Sequence, residues 1–250
     1  TSHHGQETHA HISRDGTTIA FSAQYDGPTE VYVMPIDGGR PQRLTWQGDR
    51  AHVVGWTPDG GVLYSTRHFS TLPDTQLAVA PLDGTTPEPL PLAQAIDGAF
   101  VGDGIVFTRF KQGSKTKRYE GGTAQSLWRW DGDGEEAVEL TADRPGMSYR
   151  PLLWGERLLF CDDRDGSVDL WSMAPDGSDP KQHTQHAAFD VQWPSLSGDV
   201  AVYQHGADLH RLDLASGESE VIDIQLVSDD DQTREVWIDD PMAWLTAAHP

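Results

Sequence analysis

The chain holds one cysteine, Cys161, so no disulfide can close within it. The strand-like run from Arg157 to Cys161 makes that thiol a buried structural group rather than a nucleophile. No stretch approaches the ~18 apolar residues of a membrane-spanning helix, and none reads as a signal peptide. Positive charge is scarce: 18 Lys and Arg face 39 Asp and Glu, for a net charge of −21. That balance argues against nucleic acid as a partner, because phosphate binding needs clustered cations. It favours cationic ligands wherever the charge converges on a cavity. Helical periodicity is almost absent. So are a G-x-S-x-G elbow, an H-E-x-x-H pair and a Gly-rich phosphate loop. Ser, His and Asp are abundant, yet no spacing singles out a triad.

What is present is turn chemistry in a regular beat. The chain carries 25 Gly, 16 Pro and nine Trp in 250 residues, with no linker-like tract to split it. "ISRDGTTIAFSAQ" from Ile12 matches "WTPDGGVLYSTRH" from Trp56. Weaker copies begin at Phe100, Leu153 and Trp193. Asp15, Asp59 and Asp103 are spaced by 44 residues, and the equivalent Gly155 and Gly198 by 43. Each copy is followed by a second pair of alternating runs around another Asp-Gly or Ser-Gly turn, which is hairpin chemistry. A period near 44 residues with four strands per unit predicts an all-β fold, a β-propeller of four-stranded antiparallel blades. Five blades are expected, at about 9–45, 51–90, 97–141, 149–184 and 189–223, giving a propeller over 1–224. Residues 225–250 break the pattern and read as a linker or ring-closing segment, with "REVWIDD" as a short strand.

Thr45, Thr141 and Thr184 each precede the next turn by 14 residues, and Thr1 precedes Asp15 by the same interval. The first unit is therefore expected to begin where a preceding blade ends. This places the opening "TSHHGQETHAHIS". His3 and His4 read as a solvated connection, and His3, His4, Glu7, His9 and His11 are not read as a metal site, because that needs convergent geometry rather than density. His9 and His11 alternate with Ala10 and Ile12 on an innermost strand. They are expected to face the central channel while Ala10 and Ile12 pack between blades.

The same phase puts Gly55, Ala99, Leu153 and Gln192 on the channel wall, preceded by Val53, Asp97, Pro151 and Asp190. Asp97, Asp190 and Gln192 are its polar marks. Arg150 lies one step out of phase and is expected to pair with a neighbour. Trp56, Phe100, Trp154 and Trp193 read as rings filling the wedge between blades. "DDRDG" (Asp162 to Gly166) and "DGDGEE" (Asp131 to Glu136) have a calcium-loop flavour but lack the ligand spacing, and turn chemistry explains both. "KTKRYEGG" stretches the third interval from 44 to 52 residues. Its Lys115, Lys117, Arg118 and Tyr119 either contact a peptide or another module, or fold along a blade edge.

Five segments carry a family likeness: "FSAQYDGPTEVYVMPIDGGRPQRLT", "VGWTPDG", "KTKRYEGGTAQSLW", "DDRDGSVDLWSMAPDGSDPKQHT" and "FDVQWPSLSGDVAVYQHGADLHRLDLASGE". Together they resemble the N-terminal propeller of tricorn-type proteases, from Thr1 to about Ile224. The resemblance implies six blades in the intact domain. It implies a non-catalytic role, gating or guiding peptides to or from a distant serine peptidase site whose catalytic residues lie in later modules. Peptides, other domains of the same polypeptide and further copies of it are the implied partners, without cofactor, metal, membrane or nucleic acid. The contact candidates are then His9, His11, Asp97, Asp190, Gln192, Lys117, Arg118 and Tyr119. A cytoplasmic home is expected, with the periplasm as alternative. Two other readings stay open: a TolB-like interaction scaffold, and a propeller hydrolase that holds metal in its channel.

Overall fold

The Asp-Gly corners set the hairpins. In the first unit Asp15 Oδ1 accepts from Ser13 Oγ at 2.6 Å and from the Thr17 amide at 3.1 Å. Thr57 repeats the bond to Asp59 in the second. The later units shorten this to two-residue loops led by glycine. Gly155 (φ 55°) and Gly198 (φ 56°) occupy the left-handed region that hairpin twist demands. The computed structural model describes residues 3–110, 116–132 and 136–225, together with 237, 239, 240 and 242. Lys115 and most of the predicted strand "REVWIDD" lie outside the described residues, as does part of "DGDGEE".

Five four-stranded antiparallel sheets result, each in simple sequential order, and the described residues contain no α-helix. The first is β1 (Glu7–Ile12), β2 (Thr18–Ala23), β3 (Glu30–Pro35) and β4 (Gln42–Arg43). The second is β5 (Ala51–Trp56), β6 (Val62–Thr66), β7 (Gln76–Ala80) and β8 (Glu88–Pro89). The third is β9 (Asp97–Val101), β10 (Gly104–Thr108), β11 (Leu127–Trp130) and β12 (Val138–Glu139). The fourth is β13 (Ser148–Trp154), β14 (Arg157–Asp162), β15 (Asp169–Met173) and β16 (Lys181–Gln182). The fifth is β17 (Val191–Ser197), β18 (Val200–His205), β19 (Asp208–Asp213) and β20 (Ser219–Val221). These are the blades of a propeller, with the first strand of each innermost.

In the second, third and fourth blades the second strand is buried on both faces, because it packs against a neighbour on each side. In β14, Leu158 and Phe160 join Val106 and Leu127 of the third blade, while Leu159 and Cys161 join Val191, Ala201 and Tyr203 of the fifth. This two-residue alternation gives each strand two cores. Each fully buried Leu or Phe contributes roughly 1.5–3 kcal/mol of transfer free energy. Cys161 is sealed in one of those cores, and burial pushes its thiol up to about 12, as its strand-like setting predicts. Ile12 departs from expectation: it is 59% exposed, and Ala10 is exposed beside it. The pairing of β1 with β2 slips between Thr8 and His11, and that bulge takes Ala10 out of the expected alternation.

Blades are joined by one recurring bond. The amides of Ala51, Ala95, Ser148 and Val191 donate to the carbonyls of Thr29, Thr75, Gln125 and Val168 of the preceding blade, each at 2.9 Å. The threonines that close the units sit beside these junctions. The hydroxyls of Thr45, Thr141 and Thr184 accept from the amides of Val31, Leu127 and Leu170 at 2.9, 3.0 and 2.9 Å. Thr45 also donates to Glu30, and Thr184 to Asp169. Those carboxylates in turn accept from the amides of Gly48 and His186 in the connection to the next blade. Buried Glu30 is balanced by Arg43 at 3.0 Å. Thr45→Val leaves the Val31 amide and the Glu30 carboxylate each short of a partner. It is expected to cost about 2–3 kcal/mol in chemical denaturation, with Thr45→Ser recovering most of it; equal stability of the valine variant would contradict this role.

Candidate functional site

Four of the five inner strands carry a bulge against their partner, at Val54 in β5 and around His9, Arg150 and Trp193 in β1, β13 and β17. At the last three the backbone turns left-handed, with φ of 54°, 57° and 51°. Non-glycine residues rarely hold this conformation, at a cost of about 1–2 kcal/mol each. The bulges bring side chains of separate blades together on the propeller axis. The His9 ring lies 4.6 Å from that of His52 and 6.1 Å, edge-on, from Trp193. The Arg150 guanidinium carbon stands 4.6 Å over the Trp193 ring. First, second, fourth and fifth blades thus meet in one cluster, which only the channel permits.

Two expectations are corrected here. Arg150 does not fall out of the channel phase: the bulge brings it to the axis, where its neighbour is Trp193 of the next blade. Trp193 does not fill the wedge between blades: it is 60% exposed and occupies the bulge position equivalent to Arg150, 43 residues earlier, rather than that of Trp154. Trp56, Phe100 and Trp154 do pack against inter-blade cores. Trp56 Nε1 donates to the His11 carbonyl across a junction at 3.2 Å, and Trp154 Nε1 to Asp199 at 2.8 Å.

Burial, followed by the charges of His52 and Arg150, lowers His9 to about 4. Burial, then Arg150 and His9, brings His11 to about 4 as well. Both rings are neutral at pH 7. Asp97, at the head of β9, has its carboxyl shut off from solvent although the residue as a whole is half-buried. Its Oδ1 has no hydrogen-bond partner among the described residues. Burial pushes its pKa up to about 6, against the opposing pull of Thr108 and Arg150.

The rim at one end is built by the insertion in the third blade. Lys117 Nζ reaches Asp190 at 2.7 Å, on the approach to the inner strand of the fifth blade. Asp190 also accepts from the Val168 amide at 3.0 Å. The Arg118 amide donates to Asp163 Oδ2 at 2.7 Å, and the other oxygen of Asp163 accepts from the Met147 amide. The segment therefore crosses the fourth blade instead of lying along its own. A concavity of about 580 Å³ opens there, lined by Lys117, Phe189, Asp190, Gln192 and Gly206. The Arg118 side chain is exposed, and the Tyr119 hydroxyl lies against Gly121 of its own loop. Lys117, Asp190 and Gln192 are thus brought together, while Tyr119 turns away from them.

Asp162 and Asp163 are committed to hydrogen bonds: Asp162 takes Ser148 and a forked contact from Arg164. No group of three or more His, Cys, Asp or Glu suited to a metal occurs among the described residues. A serine–histidine bond exists between Ser172 and His183 at 2.8 Å, but Ser172 is fully buried and also takes Arg157, so no substrate reaches it. Sequence reading missed His52, Arg150 and Trp193. The signal was the proline after two of them, Pro151 and Pro194, since proline inside a strand marks a bulge.

A family described as the tricorn protease N-terminal β-propeller domain matches residues 1–218. Tricorn protease homolog 1 of Streptomyces coelicolor is 37% identical over 224 residues, 87% of this chain and 21% of that protein. A tricorn protease homolog of Saccharolobus solfataricus is 26% identical, over 92% of this chain and 22% of its own length. The chain spans about a fifth of these relatives. The crystal structure of the tricorn protease superposes with a TM-score of 0.80 at 24% identity, covering 92% of this chain and 24% of that one. A putative TolB of Agrobacterium tumefaciens gives 0.67 at 18%, covering 87% and 80%. Both likenesses show the fold.

Between its ordinary 3.8 and about 6, Asp97 keeps a proton when folded that the unfolded chain has released. Stability therefore falls as pH rises through that window, and the loss is complete above about 6. Asp97→Asn is expected to raise stability at pH 7.5 by up to about 3 kcal/mol, the gain vanishing at pH 4. Denaturation at the two pH values checks this; no gain at pH 7.5 would contradict the burial argument.

Proposed function

The chain belongs to the family of tricorn protease N-terminal β-propeller domains, and from that premise we propose that it is a non-catalytic, peptide-handling domain of a tricorn-like serine peptidase. It guides or gates peptides through the axial channel to or from a peptidase site elsewhere in the polypeptide. The observation that carries this reading is the convergence of polar and aromatic side chains from four blades on that channel, in a chain whose serine–histidine pair is sealed from substrate.

Lys117, Asp190 and Gln192 serve as rim contacts, Arg118 and Tyr119 hold the crossing segment, and His9, His11 and Asp97 line or support the passage. Residues 1–224 form the propeller and 225–250 lead onward to the next module. A sixth blade completes the ring between the fifth and the first. Leu209 of the fifth blade is exposed, on the sheet face opposite Tyr203 and away from the fourth blade, where such a blade would cover it. The domain also supports assembly of a homo-oligomer. It works in the cytoplasm; among the described residues no helix is long and apolar enough to cross a membrane.

Narrowing the passage tests this. With His9→Trp and Gln192→Trp in the complete polypeptide, turnover of a ten-residue peptide is expected to fall by about five-fold relative to a three-residue one, as gating predicts. An unchanged ratio would remove the guiding role.

A further inference from the structure

Six arginines of this chain, Arg43, Arg67, Arg129, Arg157, Arg164 and Arg211, have a carboxylate within ion-pair distance. Arg150, like Arg14, Arg40, Arg50, Arg109, Arg118 and Arg144, has none among the described residues, but it alone of these stands in the channel cluster. Its backbone amide donates to Thr108 Oγ1 at 3.2 Å, while its half-buried guanidinium makes no hydrogen bond among the described residues. A guanidinium carries five N–H donors, and none of these is taken up by the described residues, so they are open to an arriving acceptor. The guanidinium carbon lies over the Trp193 ring, 4.6 Å from its centroid. This cation–π contact uses no N–H donor, and a guanidinium with free donors can take a planar, two-oxygen anion in a fork.

The surroundings agree. The Thr8 hydroxyl occupies His9 Nδ1 at 2.9 Å, leaving Nε2 as the remaining polar atom of that ring. Arg150, Trp193 and His9 all sit on left-handed bulges at one level of the channel, so the chain bears three unfavourable backbone conformations to hold this group together. Asp97 feels the charge of Arg150, yet the two form no ion pair among the described residues.

We propose that Arg150, stacked on Trp193 and flanked by His9, is a carboxylate-binding station inside the channel. It takes the carboxylate of a passing peptide, either the free C-terminus or an acidic side chain. Only the peptide source of that carboxylate rests on the guiding role. The fork is rigid and the site lies within a surface of opposite charge, so the station selects anions that have already passed an acidic exterior.

Photocrosslinking on the complete polypeptide tests this by position. The probe is an acetylated Ala-Ala peptide ending in p-benzoylphenylalanine, as free acid and as C-terminal amide, with labelled residues identified by mass spectrometry. The free acid is expected to label residues 190–197 about five-fold more than the amide, and Arg150→Gln to abolish the difference, as loss of a charge-assisted fork requires. Arg150→Gln removes no hydrogen bond of the fold, and its thermal midpoint confirms that it folds. An amide probe with Glu in place of the second Ala identifies the source: restored labelling assigns side-chain carboxylates, and continued absence the C-terminus. Equal labelling by acid and amide, no labelling at these residues, or a difference that survives in Arg150→Gln would overturn the station. Selective labelling alongside an unchanged long-to-short turnover ratio in the narrowed variant would keep the station and remove only the guiding role.

Discussion

At every junction between neighbouring blades, an amide at the head of an inner strand donates to a carbonyl just before the third strand of the blade behind it. The bond is short, buried and repeated four times with the same length. It ties the innermost strand of one sheet to the middle of another, which sets the angle between them and aims each inner strand at the axis. The threonine hydroxyls and the buried carboxylates of Glu30 and Asp169 reinforce it where present. In the second blade Pro91 stands where the others have threonine or, in the fifth, Asp223. There Gln76 bridges to the Leu92 carbonyl instead. The joint is therefore more constant than the side chains that serve it.

With the inner strands aimed inward, the bulges decide what the channel contains. A regular strand would alternate its side chains between the two neighbouring blades. The extra residue at His9, Arg150 and Trp193 breaks that alternation and turns these side chains to the axis. The result is a small cationic and aromatic zone in a strongly acidic molecule. The insertion of the third blade adds a second element at the rim, where Lys117 spans to Asp190. Both features join side chains of blades that are distant in sequence.

Much of the architecture was legible in the sequence. The 44-residue beat of Asp-Gly corners predicted five units of four strands, and the unit-closing threonines were visible as a spacing before their hydrogen bonds gave the spacing a reason. The sealed Cys161 and the wedge-filling Trp56 and Trp154 followed from strand alternation alone. Alternation failed at the bulges. A strict two-residue phase placed Ala10 in a core and Arg150 beside a neighbour, and it grouped Trp193 with Trp154. One inserted residue reverses every such assignment upstream of it. Pro151 and Pro194 carried the warning in two strands, whereas His9 precedes an alanine and gave none. The path of the insertion depends on Asp163 receiving a distant amide, a contact between blades that no local pattern encodes.

The central claim is that blades distant in sequence present His9 and Trp193 to each other across one axis. A cysteine pair made by His9→Cys and Trp193→Cys, in a Cys161→Ser background, tests it directly. A short bis-maleimide is expected to join the two within a single polypeptide, trapping residues 9 and 193 in one cross-linked peptide by mass spectrometry. Failure to link them, while each cysteine alone reacts with a monofunctional maleimide, would contradict the convergence and the channel site built on it.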